Sequence, residues 1–282
     1  MDEWIAEARE RRDRLFEQLS AAPEVEVTGL VDESGVSGGQ IAGDVLSQMT
    51  VTFEAWRVGD GALRTDQLTL RQMVEADRIT PLLQQFGLEN IVRVRARISE
   101  VNVFGSPQAL FEEFIGRVED LGLREHQRKL NTPVVHRDGV LGDLTWVRRF
   151  GWYEGRPRWK SRWGGLFGKR VRLQLESESP EVSQRALEKA RALWADSAAW
   201  ERQAKEFVAA EMLELKNGTW LKDDERPFDA ERFMRRLRLD SIHVGSGEAL
   251  EFWFDDGGLF WGHAIRVKAN ANGGFQEATI EG

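Results

Sequence analysis

The stretch from 239 to 281 limits the fold more than any other. Four strand-length segments, "LDSIHV", "ALEFWFD", "LFWGHAIRV" and "FQEATIE", follow one another with only "GSG", "DGG" and "NGG" between them. Glycine-centred connections of that length return the chain antiparallel, because a parallel return needs a dozen or more residues. In "ALEFWFD" the alternation puts Leu250, Phe252 and Phe254 on one face and Glu251, Trp253 and Asp255 on the other. The apolar face has to be covered.

The residues just upstream supply the cover. "SPEVSQRALEKARALW" reads as a helix with Ser179 as N-cap and Pro180 at its first position. A second helix from about Ser197 presents Trp200, Ala204, Phe207, Val208, Met212 and Leu215 on one side and stops at Asn217-Gly218. A third, short helix begins near Asp229. Before them "GDLTWVRRF", "RPRWK" and "KRVRLQLE" read as strands of a meander. The whole predicts a C-terminal antiparallel sheet packed by helices.

The N-terminal part reads differently. Trp4, Ala8, Leu15 and Leu19 mark an amphipathic helix ended by Pro23. "VEVTGLV" and "QMTVTFEAW" alternate as strands, with Met49, Val51, Phe53 and Ala55 on one side and a glycine-rich loop expected between them. "NIVRVRARISEV" sends Val92, Val94, Ala96 and Ile98 inward and Arg93, Arg95 and Arg97 outward. Segments 69–86 and 107–130 read as helical. The pattern resets at "LNTPVV", so the expected division is 1–132, a small mixed β-rich domain whose strands form a partly open barrel, and 133–282. The fold class is α+β.

Charge separates the same two parts. Residues 1–132 hold 15 Lys+Arg against 23 Asp+Glu, a net of -8, and 133–282 hold 24 against 24. Within the neutral half, 148–172 carries nine basic residues and one acidic one. No cysteine is present, which removes thiolate chemistry and fits the cytoplasm. No apolar run approaches the roughly 20 residues a membrane span needs.

"LGDLTWVRRFGWYEGRPRW", "ALWADSAAW", "EMLELKNGTWL" and "FWFDDGGLFWGHAIRV" resemble the blocks of an uncharacterised bacterial family, a domain of unknown function. The resemblance runs over about 135–282. It implies a bacterial intracellular protein, of a kind associated with immunity to toxins, and brings no catalytic residues. The chain departs from the family pattern by inserting "SRWGGLFGKR".

Three functions follow as expectations, none with a cofactor or metal. The first is non-enzymatic binding of a protein partner, such as a toxin, since an acidic surface steers a basic partner. The second is nucleic-acid binding through 148–172, where Arg148, Arg149, Arg158, Arg162 and Arg170 would meet phosphates and Trp152, Tyr153, Trp159 and Trp163 would stack on bases. The third is a hydrolase using Asp255, Asp256 and His263. A tight turn at Asp256-Gly257 would pair Leu250 with His263, Phe252 with Trp261 and Phe254 with Leu259, burying the histidine and leaving the acids at the tip. "GVSGG" at 35–39 matches a nucleophile-elbow pattern around Ser37, but a glycine-rich loop lacks the strand-to-helix turn that motif needs. Histidines 126, 136, 243 and 263 show no zinc spacing.

Overall fold

The computed structural model describes all residues except 1, 41, 42, 101, 103, 162–167, 178, 224, 248 and 271. The chain divides into two compact units, Met1–Thr132 and Pro133–Gly282.

The first unit runs α1 (Asp2–Ala21), β1 (Glu24–Gly39), β2 (Ser47–Val58), β3 (Leu68–Val74), α2 (Ile79–Phe86), β4 (Ile91–Ser99), β5 (Gln108–Arg117) and α3 (Leu121–Leu130). Its strands close into a barrel in the order β1-β2-β3-β5-β4, antiparallel except for β3 and β5. A five-stranded Greek-key barrel of this kind has the architecture of the OB-fold. β1 reaches both of its neighbours because register shifts between Leu30 and Val36 bend it around the barrel. At Gly29 a β-carbon would sit 2.0 Å from the Phe53 ring, so only glycine lets β1 cross that ring. Met49, Val51, Phe53, Leu70, Val92, Val94 and Ala96 fill the interior. Phe86 of α2 meets Phe111 and Phe114 edge-on, each at 5.4 Å.

Several expectations are corrected here. The barrel is closed. "GVSGG" lies in β1 and in no loop, and the supposed helices 69–86 and 107–130 begin as β3 and β5. Leu68 and Leu70 are buried on alternate positions, a period of two that a barrel wall requires. Leu15 and Leu19 are buried, but Trp4 is 71% exposed.

The second unit contains β6 (Val135–Asp138), β7 (Gly142–Val147), β8 (Trp152–Gly155), β9 (Arg158–Trp159), β10 (Lys169–Arg170), β11 (Arg172–Glu176), α4 (Gln184–Ala195), α5 (Ser197–Thr219), α6 (Ala230–Arg236), β12 (Arg238–Val244), β13 (Ala249–Asp255), β14 (Ala264–Asn270) and β15 (Phe275–Glu281). Eight strands form one sheet in the order β15-β14-β13-β12-β11-β8-β7-β6, while β9 and β10 pair separately. β11 and β12 are parallel because the three helices lie between them as a crossover. Leu173, Leu175, Ile242, Val244, Leu250, Phe252, Phe254, Ile265 and Val267 form a core with Ala186, Leu187, Ala190, Val208 and Met212 of the helices. Trp200 and Phe207 are half-buried and pack on Phe275, whereas Leu215 is exposed.

Helix ends differ in detail. α4 is capped by Ser183, which accepts from the Ala186 amide at 3.3 Å, so Ser179 and Pro180 belong to the preceding turn. α5 continues through Asn217, whose side chain instead holds Phe228 through its amide and carbonyl at 2.8 and 2.9 Å. Asp229 caps α6 as its sequence indicates.

The aromatic hairpin has another register. Asp255 pairs with Ala264, Phe254 with Ile265 and Phe252 with Val267, leaving 256–263 as a loop. Asp256 is buried and its carboxylate accepts from the amides of Gly258, Phe260 and Gly262, so it organises the loop from within. Gly257 adopts φ +58°, and a β-carbon there would be 2.3 Å from the Arg236 carbonyl oxygen. A two-residue turn would leave this carboxylate at the tip, while the longer loop supplies it with three donors. Trp261 is exposed, and His263 is half-buried against Trp220 at 6.0 Å.

Candidate functional site

The basic aromatic segment does not form one surface. Arg148 and Arg149 lie in a short 3-10 turn before β8, and Arg158 and Arg170 are cross-strand partners in the β9–β10 pair beyond it. The four residues of β8 span roughly 13 Å between the two groups. Arg162 and Trp163 lie outside the described residues. Two of the expected stacking rings are core, which corrects their assignment. Trp159 is fully buried and donates Nε1–H to Glu201 Oε2 at 2.9 Å, and buried Tyr153 donates its hydroxyl to the Pro180 carbonyl. The alternation that turns an arginine outward turns its neighbouring ring inward. At the surface there remains a stack in which Arg149 lies 5.4 Å from the Phe150 ring and Phe150 stacks on Trp152 at 4.6 Å.

Asp255, Asp256 and His263 do not converge either. Asp255 accepts from the Gly257 amide at 2.8 Å, Asp256 serves the loop, and no hydrogen bond or ion pair joins either to His263. The arginine stripe of β4 is a paired outer face. Arg95 meets Glu24 and Glu113 at 3.2 and 2.8 Å, and Arg97 meets Glu112 and Glu24 at 2.7 and 3.4 Å.

Of the residues that do come together, the sequence drew attention to Ser37 and Trp4 for other reasons and to Arg71 and Phe104 not at all. The outward positions Ser37, Thr50 and Arg71 are register partners across β1, β2 and β3. α1 and Phe104, from the connection between β4 and β5, wall this row into a cavity of about 560 Å³. Arg9 and Arg12 tie α1 to Asp44 in the β1–β2 connection. Within the cavity Arg11 pairs with Glu7 at 2.9 Å, but Arg71 has no carboxylate partner among the described residues. Its Nε donates to Gln108 Oε1 at 2.8 Å, and its guanidinium lies 4.9 Å from the Phe104 ring. Burial pulls the Arg71 guanidinium below its ordinary pKa, the expected response of a cation short of compensating charge. Phe104 is 44% exposed and Trp4, also in the lining, more so. A guanidinium without a carboxylate beside an accessible ring suits an anion attached to a planar group. The one sequence signal was the polar run Gln48, Thr50, Thr52 on the outer side of β2.

No curated protein matches the chain. Among solved structures, a small single-stranded DNA-binding protein from Streptomyces coelicolor is similar at 16% identity, covering 36% of this chain and 97% of that one with a TM-score of 0.21. Residues 12–126 match a domain of unknown function, DUF7021. Residues 138–280, half of the chain, match the family described as uncharacterized protein conserved in bacteria, DUF2262, to which the chain belongs.

Proposed function

We propose that this chain is a non-catalytic binding protein whose barrel takes single-stranded nucleic acid in the cavity between α1 and strands β1 to β3. One observation carries the reading: Arg71, half-buried and without a carboxylate partner among the described residues, lies beside the accessible ring of Phe104 in a cavity that the exposed Trp4 also lines. Single strands leave base faces free to stack, and each stack is worth roughly 1–3 kcal/mol. OB-type barrels present this same strand 2–3 face to oligonucleotides. The lining also inverts the charge of its surroundings, with three arginines and one glutamate in a unit whose net charge is -8. Fluorescence anisotropy of a labelled oligothymidylate with the full chain tests it. Binding that weakens with salt and is lost in Arg71→Ala and Phe104→Ala supports the reading. Absence of binding at low salt, or binding untouched by both substitutions, overturns it.

A protein partner, including a basic toxin, is the second reading, and the excess acid of the first unit favours it. A basic protein that co-purifies with the chain and still binds Arg71→Ala would put this reading first. No helix among the described residues is long and apolar enough to cross a membrane.

A further inference from the structure

The helices cover one face of the eight-stranded sheet, and the other face carries its own cavity of about 480 Å³. Its centre is a cross-strand pair, His243 on β12 opposite Glu251 on β13. Two indoles close on that pair. The Trp152 ring meets His243 edge-on at 5.8 Å, and Trp253 directs Nε1 toward Glu251 Oε2 at 3.4 Å. Arg172 and Glu176 of β11 complete the lining.

Part of the hydrogen-bonding capacity here is unspent. Trp152 Nε1 and Arg172 Nε are buried without a partner, and the His243 ring makes no hydrogen bond among the described residues. Glu176 is held ionised by the Ser246 amide at 2.7 Å, with its hydroxyl at 3.1 Å, and that arrangement keeps its pKa below the usual carboxylate range. Buried donors without partners cost stability unless a ligand satisfies them. The ligand must therefore accept from an indole and a guanidinium, and also donate to a carboxylate.

We propose that this open face of the sheet binds a neutral oligosaccharide, with sugar rings lying against Trp152 and Trp253 and their hydroxyls on Arg172, His243 and Glu251. A hydroxyl both donates and accepts, which matches the mixed floor, and the C–H face of a sugar ring matches an indole face. A phosphate-bearing ligand fits poorly, because one arginine faces two glutamates. This site is separate from the barrel cavity and does not depend on the nucleic-acid reading.

Saturation-transfer NMR with the full chain and three neutral probes, maltotriose, cellotriose and triacetylchitotriose, tests the proposal. At least one should show saturable transfer with a Kd of about millimolar or tighter. Glu251→Gln and His243→Gln, which keep side-chain size, should each weaken it about tenfold or more with unchanged thermal unfolding, while Arg71→Ala should leave it intact. No transfer to any of the three, or transfer indifferent to both substitutions, overturns the proposal. So does displacement of the bound sugar by oligothymidylate in the Arg71→Ala protein, which would assign this face to nucleic acid.

Discussion

The barrel cavity and the open face of the sheet are both concave, both edged by aromatic rings and both floored by cross-strand rows, yet their linings differ in charge. On the barrel, Glu24, Glu112 and Glu113 are drawn to Arg95 and Arg97 on the outer face of β4, so Arg71 is left to face its cavity without a carboxylate. On the sheet, acids and bases are interleaved along the same rows, with Glu251 opposite both His243 and Lys268. Net charge is therefore a poor guide to either site. The acidic unit holds the cavity proposed for an anion, and the neutral unit holds the one proposed for a neutral ligand.

The largest effect separates packing from binding. Phe252 and Trp253 are neighbours on β13, and Phe252 is buried under the helices where it stacks on Trp200 at 5.9 Å. Phe252→Ala should cost about 3–5 kcal/mol in denaturant unfolding, and Trp253→Ala about 1 kcal/mol or less. Equal costs would mean that the open face is packed core, and the comparison with the barrel cavity would fail.

Next in size is the oligonucleotide affinity. Arg71→Ala removes a charge-assisted contact worth about 1.5–3 kcal/mol, so the Kd should rise by about 10- to 100-fold. Glu251→Gln, and Arg158→Ser with Arg170→Ser, should leave it unchanged. If the arginine pair matters as much as Arg71, the basic segment of the second unit is the nucleic-acid surface instead.

Acid stability gives a smaller contrast, one carboxylate in each unit. Burial opposes ionisation of both Asp120 and Asp138, but amide donors and an arginine, Arg57 or Arg191, outweigh it and hold each below its ordinary pKa. A depressed folded-state pKa contributes stability above the unfolded value of about 4 and loses it as pH falls through the folded one. Asp120→Asn and Asp138→Asn should each be less stable than the parent at neutral pH, with the gap narrowing below about pH 4. A gap that stays constant into acid would show that folding does not lower the pKa of either carboxylate.

The smallest expected change is in salt dependence. Each phosphate contact on a single strand contributes about 0.7 to the slope of log affinity against log salt, and Arg71→Ala should reduce the slope by that amount. An unchanged slope would mean that Arg71 meets the base or sugar and not the phosphate.

Much of the architecture was legible along the chain. The α+β class, the inward residues of β2 and β4 apart from Ala55, which packs with Leu30, Ile91 and Leu123, the limits of β13 and β15 and the Asp229 cap follow from alternation, turn glycines and capping chemistry, which are local properties. The candidate sites were much less so. Arg71 lies in a segment that reads as helical, and Phe104 reads as part of a connection. Their meeting depends on barrel closure bringing β3 beside the β4–β5 connection.

Sequence alone determined which side of its own element a residue occupies where the element type was legible, as in β4 and β13, because side-chain period is a property of the backbone. What lies across from that side was decided only by the tertiary structure. Trp4 and Trp159 both sit among charged residues along the chain, acidic around the first and basic around the second, yet one is exposed and the other fully buried on Glu201. Glu201 and Lys205 carry the i,i+4 spacing of a solvated helical pair, and both are 1% exposed because α5 packs that turn into the unit's interior. The eight-residue loop after Asp255 has the same origin. "DDGG" suits a tight turn, but a buried Asp256 able to satisfy three amides at once stabilises the longer loop, and those donors come together only after the chain has closed around the carboxylate.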